Sequence, residues 1–438
     1  MPLDETHDPA LRSWVPSAAH SEFPIQNLPL GVFIEHGKSE RRIGAAIGDQ
    51  ILDLRACAEA VLFTGSLADV GQACREPALN ALMAMGPDAR RELRRRLSAL
   101  LREGPRGGAR SAVEPLLVPR SRAAMVVPAD IGDYTDFYAS IHHATNVGSM
   151  FRPDEPLLPN YRHLPIGYHG RASSIVPSGT AIARPCGQSR PDGSSGPVFG
   201  ASRRLDYELE VGAFVGSGNA LGAPVPIAEA EDHLFGVCLV NDWSARDIQQ
   251  WEYQPLGPFL AKSFATTISP WIVTMDALEP FRSAGPARTD EDPPLLPYLD
   301  HGASLERPAI DLRLEVRLSS DRMRREGHEP VVVSRSSTRH LYWTFAQMVA
   351  HHTSNGCNLR PGDLLASGTV SGPTRESRGC LLELTWRGTQ PLRLPSGEER
   401  RFLEDGDEVV FRGWCERDGF VRIGLGECTG RIVPARTV

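Results

Sequence analysis

Residues 204–216 read RLDYELEVGAFVG, a run in which acidic and apolar side chains alternate. Alternation with a period of two predicts a β-strand, because successive side chains of a strand point to opposite faces. Asp206, Glu208 and Glu210 would then share one face, and the opposite face would carry Leu205, Tyr207, Leu209 and Val211. Three carboxylates on a desolvated face repel one another unless a divalent cation such as Ca²⁺, Mg²⁺ or Mn²⁺ lies between them. The alternative is an acidic sheet face exposed to water.

Short apolar runs separated by Gly, Pro and Asp continue this pattern and predict a mainly β fold. They include HLFGVCLVND (233–242), DLRLEVRLSS (311–320), DEVVFRGWC (407–415) and FVRIGLGECTG (420–430). Two helices are expected among the strands. One lies in 87–105, with Asp88 as its N-cap and a solvated arginine-rich outer face; the other lies in 338–359 and ends at Asn355–Gly356.

The chain is expected to divide into three parts. Residues 1–24 lack a strong pattern and predict a flexible leader, without the basic and apolar regions of a signal peptide. Residues 25–127 form a small N-terminal domain, which includes a Gly/Pro/Arg-rich linker at 104–123. Residues 128–438 form the larger C-terminal domain.

Composition excludes several classes of protein. With 47 basic and 54 acidic residues the formal charge is −7, which does not favour binding to nucleic acid or to an anionic membrane. No run of 18 apolar residues predicts a membrane span. The eight cysteines are dispersed without a CxxC pair, which favours reduced thiols and a cytoplasmic location. Only two lysines occur, Lys38 in a polar loop and Lys262 among aromatic and hydroxyl side chains, so Lys262 is a candidate for chemistry that arginine cannot perform.

Residues 132–148, GDYTDFYASIHHATNVG, combine carboxylates, phenols and imidazoles. Asp136 and His143 are seven positions apart, so on a helix they would lie on roughly the same face. A carboxylate there could hold a metal while the imidazole acts as a base. Taken alone, each histidine is more often a hydrogen-bonded structural residue.

Residues 240–264, VNDWSARDIQQWEYQPLGPFLAKSF, bring a second group of polar side chains together. On one helix, Asp242 and three later polar residues would share a face: Arg246, Gln249 and Tyr253. Neighbouring aromatic residues favour a partly buried site, whereas the simpler interpretation is a surface helix with an ordinary Asp–Arg pair. Other candidates from sequence alone are Tyr168, Thr369 and Glu383.

From about residue 22 to its end the chain resembles the fumarylacetoacetate hydrolase family. The resemblance is carried by long motifs: DYTDFY (133–138), HATNVG (143–148), LPIGYHGRASSIV (164–176), ELE (208–210), NDWSARDIQQWEY (241–253), PLGPFLAKSF (255–264), GCNLRPGDLLASGT (356–369) and LLEL (381–384). It implies an N-terminal SH3-like β-barrel, a C-terminal β-roll domain of the fumarylacetoacetate hydrolase type, and a homodimer. It also implies hydrolysis of 4-fumarylacetoacetate to fumarate and acetoacetate, the last step of tyrosine and phenylalanine breakdown.

The same resemblance implies roles for individual residues. Ca²⁺, or else Mn²⁺ or Mg²⁺, would be held by Asp136, Glu208, Glu210 and Asp242. His143 would be the base, oriented by Glu383, with Arg246, Gln249 and Lys262 at an oxyanion site. Substrate would contact Tyr138, Arg152, Tyr168, Gln249, Tyr253 and Thr369. A second, structural Mg²⁺ would lie beside Asp242, Lys262 and Thr266.

Two departures from the family pattern bear on these expectations. Ala265 stands where the family usually has glycine, which puts the second metal site in question, and His142 precedes the expected base. The sequence disfavours three alternatives. A related hydrolase, hydratase or decarboxylase of diketo acids would usually lack the full N-terminal domain and the DYTDFY segment, and a structural or regulatory metal-binding protein without catalysis would not need His143, Glu383 and Lys262 together. An N-terminal domain that binds a partner is disfavoured because no aromatic groove pattern for proline-rich peptides is seen.

Overall fold

A five-stranded antiparallel sheet forms the N-terminal part of the protein, in the strand order β4-β3-β2-β1-β5. The structure is a computed structural model that describes residues 3–104, 110–191, 193–286, 288–290, 292–302 and 307–436. The strands of this sheet are β1 Leu30–Glu35, β2 Arg42–Ile47, β3 Gln50–Asp53, β4 Leu117–Pro119 and β5 Ala123–Val126. The helices that accompany it are α1 Leu54–Glu59, α2 Ala68–Ala73, α3 Asn80–Ala84, α4 Gly86–Leu101 and α5 Arg110–Val113.

The linker prediction for 104–123 is wrong for most of its length. Strand β4 pairs with β3, and β5 pairs with β1, so both strands complete the N-terminal sheet. The apolar residues Leu116, Leu117 and Val118 explain this difference, because they pack against the neighbouring core. Residues 105–109 of the predicted linker lie outside the described residues.

Residues 3–24 are packed against the rest of the protein, so the prediction of a flexible leader is wrong. Trp14, Val15 and Phe23 are buried, and the indole N–H of Trp14 donates to the Leu100 carbonyl at 3.0 Å. Thr6 accepts a hydrogen bond from Arg94 Nε at 2.9 Å. The apolar residues of this segment have no regular spacing, so the sequence pattern does not predict that they are buried.

Helix α4 differs from its prediction at its start and on its outer face. It begins at Gly86, and Asp88 lies inside the first turn as an exposed partner of Arg91. Arg90 and Arg94 are buried, not solvated. Arg94 donates to the carbonyls of Gln26 and Asn27 at 2.6 and 2.8 Å.

Two further sheets build the larger part of the molecule. An eight-stranded sheet has the order β7-β6-β22-β13-β14-β16-β8, with β17 paired to β14, and a five-stranded sheet has the order β21-β20-β25-β26-β9. The strands are β6 Tyr134–Phe137, β7 Gly167–Gly170, β8 Ile175–Pro177, β9 Ala181–Ala183, β10 Cys186–Ser189, β11 Val198–Ala201, β12 Leu205–Asp206, β13 Leu209–Val215, β14 Leu234–Asp242, β15 Ser244–Ala245, β16 Thr266–Ile268, β17 Val273–Thr274, β18 Arg282–Ser283, β19 Ala309–Ile310, β20 Arg313–Ser319, β21 Val331–Ser337, β22 Leu364–Ala366, β23 Leu392–Arg393, β24 Glu399–Arg400, β25 Glu408–Cys415 and β26 Ile423–Val433. The helices are α6 Ile141–Phe151, α7 Arg246–Glu252, α8 Met275–Leu278, α9 Asp321–Arg325, α10 Phe345–Thr353 and α11 Leu381–Leu384.

The mainly β architecture agrees with the expectation, while the SH3-like and β-roll descriptions stay predictions. A shared core with Leu239, Trp243, Phe411 and Leu425 joins the two large sheets. Helix α10 begins at Phe345 because Thr344 and Gln347 form a capping box there. Within the described residues, every helix falls short of the length and apolar character that crossing a bilayer requires.

Strand register in the eight-stranded sheet brings distant acidic residues to one end. Strand β14 places Asp242 opposite Thr266 of β16, and its Asn241 lies opposite Leu209 at the start of β13. Strand β22 runs parallel to β6 and places Ala366 beside Asp136.

Removal of the buried Arg90 side chain should destabilise the fold strongly. Arg90 Nη1 donates to the Leu234 carbonyl at 2.7 Å and its Nε to Asp276, so α4 is tied to the start of β14 and to α8. Breaking one partner of a buried ion pair typically costs about 3–5 kcal/mol. We expect Arg90→Ala to lower the free energy of unfolding by that amount in denaturant titrations.

Arg95 on the same helix provides the control. Its side chain is 50% exposed, against 4% for Arg90, and it pairs with Asp4 at 3.0 Å. Exposed pairs contribute about 0–1 kcal/mol, so Arg95→Ala should be nearly neutral. If the two variants lost the same free energy of unfolding, the stabilising role assigned to the buried contacts of Arg90 would be contradicted.

Candidate active site

Four carboxylates converge at the end of the eight-stranded sheet. They come from β6, from the segment before β13, from β13 and from the end of β14: Asp136, Glu208, Glu210 and Asp242. One oxygen of each lies within 4.8 Å of the others, and all four side chains are buried. Buried like charges at this distance are strongly unfavourable unless positive charge balances them.

Lys262 supplies one positive charge to this acidic cluster. Its ammonium group contacts Glu208 Oε2 and donates to Asp242 Oδ2 at 2.7 Å. Asp242 also accepts from the Tyr168 hydroxyl and from Thr266 Oγ1, both at 2.8 Å. One ammonium cannot neutralise four carboxylates, so the cluster retains an excess of negative charge.

The pKa shifts of the carboxyl groups follow from this imbalance. Burial and then Asp242 raise the pKa of Asp136, while burial followed by Asp136 and Glu208 raises the pKa of Glu210. Glu208 has the opposite shift: burial acts to raise its pKa, but Lys262, Arg246 and His143 together lower it. The His143 imidazole is thus within electrostatic range of Glu208.

The donor set fits a hard divalent cation. Both carboxylate oxygens of Glu210 are buried without a hydrogen-bond partner, which is costly unless another group binds them. All four residues offer oxygen ligands, the type preferred by Ca²⁺, Mg²⁺ and Mn²⁺. The acidic cluster could therefore hold a metal ion.

Gly368 supports one ligand of this cluster through its backbone. Its N–H donates to Asp136 Oδ1 at 3.0 Å. The residue has φ +72°, and an added Cβ would lie 2.1 Å from the Phe137 carbonyl oxygen. Only glycine fits this close approach, in the glycine-flanked SGTVSG segment.

A His–Glu pair lies beside the cluster. His143, in the first turn of α6, contacts Glu383 of α11 through a hydrogen bond of 2.6 Å between Nδ1 and Oε2. Glu383 also accepts from Asn146 at 2.8 Å, Ser371 at 2.7 Å and the Cys380 thiol at 3.2 Å. Although burial acts to raise its pKa, His143 and these hydrogen bonds lower the pKa of Glu383 to about 2.

An ionised Glu383 fixes the tautomer of the imidazole. A carboxylate only accepts hydrogen bonds, so Nδ1 of His143 carries the proton and Nε2 keeps its lone pair. Ser371 and Asn146 are functional neighbours that sequence analysis missed. Asn146 lies three residues after His143 on the same helix, so a search for i, i+3 partners could have found it.

Arg246 forms a third part of the site. Its Nε donates to Asp206 Oδ2 at 3.0 Å and its Nη1 lies 2.8 Å from Glu208 Oε1. A further bond of 3.2 Å joins Nη1 to Gln249 Oε1. Nη2 is buried without a partner in the described structure, so it is free to donate to a bound group.

Asp206 does not join the acidic cluster, which corrects the single row of three carboxylates expected from sequence. Strand β12 ends at Asp206 and β13 begins at Leu209, so the regular alternation is interrupted between them. Besides Arg246, Asp206 accepts from the backbone N–H groups of Leu381 and Leu382 at 2.8 and 2.9 Å. It thus links Arg246 to helix α11.

The helical spacing arguments for two segments were also wrong. Asp136 lies on β6 and His143 on α6, so they do not share a helix face. Asp242 is the last residue of β14, whereas Arg246 begins α7. Asp136 and Asp242 belong to the acidic cluster, whereas His143 pairs with Glu383 and Arg246 contacts Glu208.

The remaining candidate residues differ in how closely they approach the His143–Glu383 pair and the acidic cluster. Tyr138 packs edge-on against His143, with ring centroids 5.3 Å apart. Thr369 is buried and its hydroxyl has no partner in the described structure. Arg152, at the end of α6, and Tyr253, just after α7, are exposed, and no contact with His143 or the four carboxylates is described for them.

Comparisons with known proteins identify the family of the chain. The family model described as Fumarylacetoacetate (FAA) hydrolase C-terminal matches residues 133–433, and the one described as Fumarylacetoacetase N-terminal matches residues 26–128. The chain is 53% identical to fumarylacetoacetase of Bos taurus over 428 residues, which cover 97% of this chain and 99% of the relative. Its identity to fumarylacetoacetase of Homo sapiens is 51% with the same coverage, and to that of Arabidopsis thaliana it is 52% over 437 residues, with 97% and 99% covered.

A solved structure shares the fold. Fumarylacetoacetate hydrolase (EaFAH) from psychrophilic Exiguobacterium antarcticum superposes with a TM-score of 0.51 at 16% identity, covering 93% of this chain and 100% of that one. Together with the family matches and the near full-length relatives, this shows that the chain belongs to the fumarylacetoacetate hydrolase family and is a hydrolase.

Proposed function

We propose that this enzyme hydrolyses the C–C bond of 4-fumarylacetoacetate to fumarate and acetoacetate. The observation that supports the proposal is a buried His143–Glu383 pair within electrostatic range of four buried carboxylates that fit a divalent cation. Fumarylacetoacetase is the name of relatives about 50% identical over nearly the whole chain. The reaction would place the enzyme at the last step of tyrosine and phenylalanine breakdown, in the cytoplasm.

His143 acts as the general base in this proposal. Glu383 holds its Nδ1–H, so Nε2 is the atom that removes a proton from water. The hydroxide equivalent attacks the carbonyl carbon on the fumaryl side. Collapse of the tetrahedral adduct breaks the C–C bond and releases fumarate, and the departing acetoacetate enolate takes the proton back from the His143 imidazolium. Glu383, with its lowered pKa, stays ionised and stabilises the imidazolium that forms.

Asp136, Glu208, Glu210 and Asp242 would hold the divalent cation, Ca²⁺ or else Mn²⁺ or Mg²⁺. When bound, the cation supplies Lewis-acid stabilisation of negative charge on the diketone oxygens of the substrate. Lys262 offsets part of the negative charge of these ligands through its ion pairs with Glu208 and Asp242.

Positive and polar side chains would stabilise the oxyanion and the carboxylates of the substrate. Arg246 has a free Nη2, and Gln249 uses its amide oxygen toward Arg246, so its NH₂ group can donate. These donors and Lys262 form the proposed oxyanion site. The remaining proposed substrate contacts are Tyr138, Arg152, Tyr168, Tyr253 and Thr369.

The proposal includes a second, structural Mg²⁺ site. Asp242, Lys262 and Thr266 are in contact, which supports a common site. However, Oδ1 of Asp242 accepts from Thr266 and Oδ2 from Lys262 and Tyr168, so the described arrangement already occupies these oxygens. Ala265 precedes Thr266 and is buried.

A homodimer is proposed as the working assembly. The segment after α7 exposes several large apolar side chains, among them Leu256 at 96% and Phe259 at 69%. Large exposed apolar side chains near a candidate site favour an interface with another protein surface.

The division of the chain into two domains near residue 127 is also part of the proposal.

Replacement of His143 should abolish most turnover. General base catalysis typically contributes about 10²–10⁴-fold, so His143→Ala should lower kcat for fumarylacetoacetate by at least about 100-fold. Loss of the diketone absorbance measures the rate. His142→Gln is the matched control, because this neighbouring ring packs near His340 and is not assigned a role; it should stay within about threefold of wild type. Robust activity of His143→Ala would exclude this residue as the base.

Removal of one ligand should weaken cation binding. Glu210→Gln replaces a carboxylate that has no other partner, and we expect Ca²⁺ affinity, measured by isothermal titration, to fall by about 10-fold or more. Chelation by EDTA should stop turnover of wild type, and added Ca²⁺ should restore it. The exposed Glu76→Gln serves as control and should bind Ca²⁺ normally. Unchanged affinity in Glu210→Gln would place the cation elsewhere.

Disruption of the exposed apolar segment should produce monomers. Leu256→Asp introduces a charge that a buried interface cannot tolerate, so sedimentation equilibrium should shift from the dimer to the monomer mass. Leu221→Asp places the same charge at another exposed leucine and should leave the dimer intact. A monomeric wild-type protein, or a dimeric Leu256→Asp, would refute this interface.

A further inference from the structure

Glu252, the last residue of α7, forms an unusual set of contacts with the backbone. Its carboxylate accepts hydrogen bonds from the N–H groups of three successive residues: Phe259 at 2.8 Å, Leu260 at 3.0 Å and Ala261 at 2.8 Å. Oε1 accepts two of these bonds and Oε2 accepts the third. A carboxylate is well suited to gather several backbone donors, because hydrogen bonds to a charged acceptor are stronger than neutral ones.

The three N–H groups belong to a turn that carries Lys262. The Phe259 carbonyl accepts from the N–H groups of Lys262 and Ser263 at 3.2 and 3.0 Å, as at the start of a helical turn. The first N–H groups of such a turn have no partner within it. Glu252 satisfies them from outside, and the Ala261 carbonyl accepts from the Ala245 N–H at 2.9 Å.

Within one subunit, apolar contacts hold only part of the segment that leads into this turn. Leu256, Phe259 and Leu260 expose most or about half of their side chains, whereas Ala261 is buried in a small apolar cluster. Within one subunit this cluster and the three bonds to Glu252 therefore hold the backbone that precedes Lys262. Lys262 is thereby held where its ammonium group reaches both Glu208 and Asp242.

We propose that Glu252 is a positioning residue that holds Lys262 at the acidic cluster by fixing the turn before it. This inference rests on the proposed function for its effect on catalysis, but not for its effect on Lys262 itself. Loss of Glu252 leaves three backbone donors unpaired and lets the turn move, so Lys262 leaves its two carboxylates for part of the time.

The lysine content of the chain allows a direct test that needs no substrate. Lys38 and Lys262 are the only lysines in the sequence, with side chains 54% and 7% exposed. Acetylation of the native protein by an amine-reactive ester, followed by mass spectrometry, therefore reports Lys262 against Lys38 as an internal standard. We expect Glu252→Ala to raise the labelling ratio of Lys262 to Lys38 by about 10-fold or more.

Two variants separate this effect from general loss of structure. Glu252→Gln keeps one carbonyl oxygen as acceptor, so its labelling ratio should lie between those of wild type and Glu252→Ala. Asp247→Ala removes a carboxylate of the same helix, which accepts from Ser202 Oγ at 2.6 Å and from the Arg203 N–H at 2.8 Å. Since these contacts lead away from Lys262, Asp247→Ala should keep Lys262 protected. A wild-type ratio in Glu252→Ala, or equal increases in Glu252→Ala and Asp247→Ala, would overturn the proposal.

Kinetics then connect the position of Lys262 to turnover. We expect Glu252→Ala to lower kcat on fumarylacetoacetate by about 10-fold or more. In a Lys262→Met background the same substitution should lower kcat by less than about twofold, because the effects of two coupled residues on turnover are not additive. An equal loss in both backgrounds would show that Glu252 does not act through Lys262. Absence of turnover in wild type would refute the proposed substrate, while the labelling ratio would still decide the role of Glu252.

Discussion

The need to keep four carboxylates together away from water is the constraint around which this protein is arranged. Their oxygens lie within 4.8 Å of one another, and water is almost excluded from them. Such a group is stable only if its charge is balanced in place. Lys262, Tyr168 and Thr266 converge on Asp242 for this reason, and the backbone N–H of Gly368 supports Asp136. The two oxygens of Glu210, which lack a hydrogen-bond partner in the described structure, mark where a cation could complete this balance.

Strand pairing provides the rigidity that this group of charges requires. The four acids come from three separate parts of the chain, since Glu208 and Glu210 are neighbours in sequence, and three of the four lie on strands of a single sheet. Backbone hydrogen bonds fix the spacing of such strands, so the carboxylates cannot relax apart. The His143–Glu383 pair is built differently, from the starts of two helices that meet through a hydrogen bond between these side chains. In the proposed function the sheet therefore positions the charged groups, and the helix starts position the groups that transfer a proton.

The sequence was most informative where pattern and motif agreed. Alternation predicted the β character of the 204–216 segment, and the family resemblance selected Glu208 and Glu210 from its three acids. The break in the strand after Asp206 could not be seen, since it depends on Arg246 and on two N–H groups that are remote in sequence. Periodicity also placed Asp136 and His143 on one helix, because a spacing of seven fits a helix whether or not one forms. Arg90 and Arg94 were assigned to a solvated face, since burial of arginine is decided by tertiary partners such as Asp276.

Asp206 connects Arg246 with the helix that carries Glu383. One of its oxygens accepts from both Arg246 Nε and the Leu382 N–H, and the other accepts from the Leu381 N–H at the start of the helix that carries Glu383. Any shift of the guanidinium group therefore moves the support of the carboxylate behind the imidazole. Under the proposed function, a substitution that moves Arg246 to admit a bulkier substrate would therefore also disturb the backbone that carries Glu383.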